Sequence, residues 1–136
     1  MCIVLEKKQW DAYDALKAML ALMESKEFPS SARVIHSAMC QIQQEPEFHC
    51  FVQEYLFAPR GDFPFSSVLQ TDLSNMEIAG LLSSPNPEFV RYTVCDKLDR
   101  IFEIYVKGRF TQDELETLTR MAQVFEERVT ANSCAA

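Results

Sequence analysis

A chain of 136 residues with 48% hydrophobic and 24% charged residues suffices for one domain with a sizeable core, which excludes wholesale disorder. A net charge of −7 and a pI near 4.8 repel phosphate backbones and anionic head groups, which excludes a direct nucleic-acid reader and a membrane-surface binder. Three glycines are too few for phosphate-cradling loops or a turn-rich β architecture, so helix is the expected secondary structure.

The first helix is predicted over residues 7–26, with Trp10, Tyr13, Leu16, Leu20 and Met23 on one stripe. Met19 and Leu22 widen that stripe beyond what a surface helix needs, so the helix either sits centrally or offers an apolar face to a partner, a second copy included. Phe28-Pro29-Ser30-Ser31 interrupts the pattern, and a serine cap opens a second helix through about residue 44, with Val34, Ile35, Ala38, Met39 and Ile42 inward. Glu45-Pro46 breaks it, and a third helix over roughly 46–57 carries Phe48, Phe51, Val52, Tyr55 and Leu56. Ala58 to Phe65, with two prolines and a glycine, leaves regular structure; Arg60-Gly61-Asp62 matches an adhesion tripeptide but reads as a turn.

Ser74-Asn75-Met76-Glu77 is a plausible capping box for a short helix through about residue 82. Asn86 as cap, Pro87 at the first position and Gly108 as stop define a fifth helix over 87–107, with Val90, Val94, Leu98, Ile101 and Tyr105 on its core face. Thr111-Gln112-Asp113-Glu114 is a capping box for the sixth, striped by Leu115, Leu118, Ala122, Phe125 and Val129. The short connection between them predicts antiparallel neighbours. The expected fold is all-α: a single-domain bundle of five to six helices ending in an antiparallel helical pair, with residues 1–6 and 131–136 flexible.

Catalytic signatures are missing: no G-x-S-x-G, H-E-x-x-H, P-loop or G-x-G-x-x-G occurs, and carboxylate pairs such as Asp96 with Asp99 fall on polar helix faces. The chain is therefore expected not to be an enzyme and to carry no cofactor. His36 and Cys40, one helical turn apart, could face one metal, and His49 with Cys50 stands nearby; adjacent helical residues diverge by about 100°, which weakens the four as a ligand set. Cys40 and Cys50 read as core thiols, because free cysteine packs as a small hydrophobe. Five cysteines without a C-x-x-C, an apolar run at Cys2 to Leu5 too short for a signal peptide, and no window of about eighteen apolar residues point to a cytoplasmic protein.

The chemistry that remains is contact. From Val34 to Val90 the sole basic residue is Arg60, against Glu45, Glu47, Glu54, Asp62, Asp72, Glu77 and Glu88. The segment from Phe57 to Phe65 combines aromatic residues with arginine, as interface hot spots do. Sequence thus points to a protein-binding module, an adaptor, chaperone, inhibitor or immunity-type regulator, meeting a protein of basic or mixed surface. Phe57, Arg60, Phe63 and Phe65 are the expected contact residues, with Glu54 and Asp62 as acidic support. Two alternatives remain: an acidic nucleic-acid mimic that blocks a DNA- or RNA-binding protein, and a metal- or redox-responsive regulator using His36, Cys40, His49 and Cys50.

Overall fold

The computed structural model describes residues 10–84 and 91–134. Helix α1 (Ala12–Leu22) opens on a reciprocal capping box between Asp11 and Asp14, which satisfies two of the amides a helix start leaves unpaired. Ser31 caps α2 (Ala32–Gln43). The segment expected to be a third long helix contracts to a single turn, α3 (His49–Val52). Ser66 caps α4 (Ser67–Ile78), so that helix begins eight residues earlier than the Ser74 to Glu77 box suggests. Gly80, at φ 79°, ends it: Leu81 donates to the Met76 carbonyl and Gly80 to that of Glu77, the paired bonds of a Schellman turn.

The chain is helix-rich but not all-α, because short strands form two antiparallel sheets among the described residues. In the larger one, β5 (Arg91–Val94) lies between β1 (Glu27–Pro29) and β4 (Leu82–Ser83). In the smaller, β2 (Ala58–Arg60) pairs with β3 (Phe63–Phe65). The predicted fifth helix differs most from what forms. Arg91 to Val94 are strand, and regular helix starts only with α5 (Asp96–Ile101); the expected cap at Asn86 and Pro87 lies outside the described residues.

The reason is side-chain pairing. Tyr92 lies opposite Phe28, their rings 5.5 Å apart, and Phe28 in turn meets the edge of Phe125, also at 5.5 Å. An aromatic cross-strand pair seated on a third ring outweighs the modest helical preference of a stretch rich in aromatic and β-branched residues. Ser25 protects the free side of β1: its hydroxyl accepts from the Glu27 amide and donates to the Glu27 carbonyl.

After α5 the helix widens into a π turn (Phe102–Val106) and tightens into a 3₁₀ turn (Lys107–Arg109). The change of pitch shifts the phase, so Phe102 and Val106 are buried while Tyr105, expected at the core, is exposed together with Ile104. Phe110 then tucks against Trp10, 5.3 Å between rings. The final helix, α6 (Gln112–Cys134), accordingly packs on α1 and α2 and not as an antiparallel partner of α5. It also runs through residues 131–134, where fraying was expected.

The α6 capping box forms as expected, and its glutamate does double duty. One Glu114 oxygen accepts from the Thr111 amide and the other from the Trp10 indole, so the entries to α1 and α6 share a clasp. Trp10 also stacks on Phe51 at 5.1 Å. The wide apolar circumference of α1 is used within the chain: Leu16, Met19, Leu20 and Met23 are all buried.

Replacing Phe28 with alanine removes the ring that joins the sheet to α6. Urea unfolding should show a loss of about 3–5 kcal/mol, whereas Ile78→Ala, at an exposed position, should stay within about 0.5 kcal/mol. An equal, small effect at both positions would contradict the sheet-on-helix core.

Candidate functional site

The residues singled out by sequence between Phe57 and Phe65 form a β-hairpin laid on α2. Its loop is Gly61-Asp62, and Gly61 takes φ 65°, the left-handed conformation that a two-residue hairpin loop requires. Such a loop closes on a hydrogen-bonded pair, here Arg60 opposite Phe63, and pairing alternates along the ladder. Pro59 opposite Pro64 is therefore a non-hydrogen-bonded pair. In that pair the amide positions point away from the hairpin, and proline has no N–H to offer there. The hairpin costs no ladder bond and presents no outward donor to a strange strand.

Alternation also sorts the side chains. Arg60, Phe63 and Phe65 share one face of the hairpin and turn it toward α2; the prolines occupy the other. Phe65 lies parallel to the His36 ring, 4.4 Å between centroids and 8° between planes. The Arg60 guanidinium sits 4.3 Å from the Phe65 centroid, and since two groups cannot share one face at that distance, Arg60 covers the opposite one. One turn earlier on α2, Arg33 lies over Phe63 at 5.4 Å and pairs with Asp62. That bond holds the Asp62 carboxyl below the usual carboxylate range.

His36 is the buried post behind this layer. It is completely inaccessible to solvent, accepts the Ser66 backbone N–H on Nδ1 at 3.0 Å, and faces Gln70 Oε1 with Nε2 at 3.1 Å. An Nδ1 that accepts leaves the proton on Nε2, which then donates to Gln70, so the imidazole is neutral. Burial pulls its pKa down, opposed by the Gln70 bond and reinforced by the charge of Arg60. Ser66 is equally buried and its hydroxyl caps α4, so a single residue ties the hairpin, α4 and α2 together.

Arg60, Asp62, Phe63 and Phe65 thus come together, and Phe57 meets the His36 ring edge-on at 6.4 Å. Phe57, Phe63 and Phe65 are half-buried, not free aromatic contacts. Glu54 belongs elsewhere: it bears on Tyr55 and Asp72, a pair bonded at 2.7 Å. Burial raises the Asp72 carboxyl, opposed by the Tyr55 bond, and burial likewise raises the Tyr55 phenol. Sequence reasoning did not single out Arg33, His36 as a hairpin support, Ser66 or Leu56. Leu56, beside the hairpin, is 79% exposed.

The four metal candidates are not assembled. Both His36 nitrogens are engaged, His49 Nδ1 pairs with the Gln43 carbonyl, and Cys50 is disulfide-bonded, which overturns its reading as a free core thiol. Cys40 is a free thiol, its pKa raised by burial. Among the described residues no three His, Cys, Asp or Glu side chains are placed to hold a metal ion. A cleft lined by Ser25, Glu27, Pro29, Arg91, Glu126, Val129 and Thr130 lies on the sheet side. Its charges are spent: Glu27 pairs with Arg91, and Glu126 accepts from the amides of Glu24 and Ser25.

Three carboxylates of the acidic run between Val34 and Val90 are compensated by cations from outside it. Arg128 pairs with Glu45, Arg120 with Glu47 and Arg33 with Asp62, while Asp72 and Glu77 accept from Tyr55 and Tyr92. No helix among the described residues is long and apolar enough to cross a membrane. No family model, curated protein or solved structure matches this chain.

A chain carrying both Pro59→Val and Pro64→Val regains two outward donors, one on each strand of the hairpin. Light scattering should then show molar mass rising more steeply with concentration than for the parent chain, and identical curves would contradict the edge-blocking role.

Proposed function

We propose that this protein is a binding module that acts by surface contact and not by catalysis, an adaptor, chaperone, inhibitor or immunity-type regulator, and that it docks through the β2–β3 hairpin. The observation that carries the reading is Arg60. Its guanidinium is exposed, fixed over Phe65, and bonded to no carboxylate among the described residues. A stacked guanidinium keeps its planar donor fork while losing little rotamer freedom on binding, the property of an interface anchor.

The partner is a protein of mixed surface: a carboxylate to meet Arg60 and an apolar residue to cover Leu56 and the proline face. A wholly basic partner fits less well, because Asp62 is already neutralised by Arg33. The same compensation disfavours nucleic-acid mimicry, which needs an ordered run of unpaired carboxylates; Glu45, Glu47 and Asp62 all have arginine partners. An exposed Pro59, a half-buried Pro64 and absent outward donors favour recognition by side chains over strand addition. A cytoplasmic setting accords with the spread of cysteines but not with the disulfide at Cys50, which an oxidising compartment preserves best. Contact function requires neither.

Affinity capture from the native cell at physiological salt tests the reading with two baits, the natural chain and Arg60→Ala. A partner recovered by the first should bind the second roughly 30-fold more weakly, the loss of about 2 kcal/mol typical of a hot-spot arginine. Equal recovery by both baits, or no reproducible partner for either, would overturn it.

A further inference from the structure

We propose that the hairpin is a pH-released element, latched while His36 is neutral and freed when His36 takes up a proton. The inference rests on the docking reading for its biological use, but the latch itself is independent of any partner.

The geometry carries it. Ser66 presents its N–H to His36 Nδ1, and a protonated imidazole presents an N–H at the same place. Two donors then face each other inside a dry contact, so one proton added from solvent removes the acceptor on which the hairpin–α4 junction hangs. Gln70 cannot compensate, because its Oε1 already faces Nε2. The imidazolium must also leave a completely buried position, which it can do only if Phe65 lifts from its face.

The charges around the ring either oppose a second cation or are engaged elsewhere. From the hairpin, Arg60 disfavours a second positive charge, and Asp62 is held by Arg33 of α2. Of the α4 carboxylates, Asp72 is bonded to Tyr55 and Glu77 to Tyr92. Glu54, just before the hairpin, bears on that same Tyr55–Asp72 pair. On the α6 side of α2, Glu45 and Glu47 are paired with Arg128 and Arg120. No carboxylate is bonded to the imidazole among the described residues; the Gln70 bond alone favours the cation, and burial outweighs it.

The sign follows from linkage. The folded pKa of His36 lies below its unfolded value, so the unfolded chain binds the proton more readily. The stabilisation is complete above the unfolded value of about 6.5 and is lost as pH falls through the folded one. Release of the hairpin is the local form of that loss, since only this junction depends on the neutral ring.

Amide hydrogen exchange of the natural chain, corrected for intrinsic rates, should show Ser66 protection falling at least 10-fold between pH 7.5 and pH 5, while Leu20 in α1 is unchanged. His36→Asn keeps an acceptor for Ser66 but cannot titrate, and its Ser66 protection should be flat over the same range. Unchanged protection in the natural chain, or an equal fall in the variant, would overturn the proposal. Should the variant not fold, ¹⁵N spectra of the natural chain's imidazole decide. A protonated ring with Ser66 still protected overturns the latch, and protonation concurrent with loss of protection supports it. None of these readouts involves a partner, so a failed latch and a failed docking reading remain distinguishable: the second is judged by Arg60→Ala alone.

Discussion

The bond from the Ser66 amide to His36 Nδ1 constrains more of this molecule than its single donor and acceptor suggest. Ser66 follows the hairpin and caps α4, and His36 belongs to the helix on which the hairpin rests. The ring's face seats Phe65, and Phe65 seats Arg60, so the position of an exposed guanidinium is set by a buried imidazole two layers below. An unpaired Ser66 amide in that interior would cost about 1–3 kcal/mol. The hairpin's placement is therefore conditional on a neutral, correctly tautomeric histidine.

Around this junction the helices form a scaffold that is indifferent to it. Core helices α1, α2 and α6 are held by aliphatic stripes and by the clasp of Glu114 with Thr111 and Trp10, and the larger sheet is stapled to α6 through Phe28. Such a division, with a well-buried frame and a small element held by a few polar bonds, is how a domain combines stability with a contact surface that opens at low local cost.

Much of the frame was legible in sequence. The stripes of α1, α2 and α6 follow helical periodicity, and the Thr111 to Glu114 box forms as its spacing predicts. The turn at Gly61 was legible as well. The strands were not, because β1, β4 and β5 span two to four residues each, too short for a period of two to stand out. Val94 fits a helical stripe with Val90 and Leu98 equally well, and only Phe28, more than sixty residues from its partner Tyr92, decides between the readings. Ser74 to Glu77 acted as a decoy, a capping box lying inside a helix that Ser66 had already started. The hairpin's composition marked it as a contact candidate, but its support was hidden. His36 looked like half a metal site, whereas its partners Ser66 and Gln70 are thirty and more residues distant, as are most cations that neutralise the acidic run.

On this reading the hairpin is a rigid, preorganised platform at neutral pH and not a loose loop. Backbone ¹⁵N relaxation at neutral pH measures this at Arg60, Phe63 and Phe65, with the Arg60 Nε–H as a side-chain probe. Order parameters should lie near those of α2, about 0.85, together with a restrained guanidinium. Values below about 0.6 across the hairpin would contradict it.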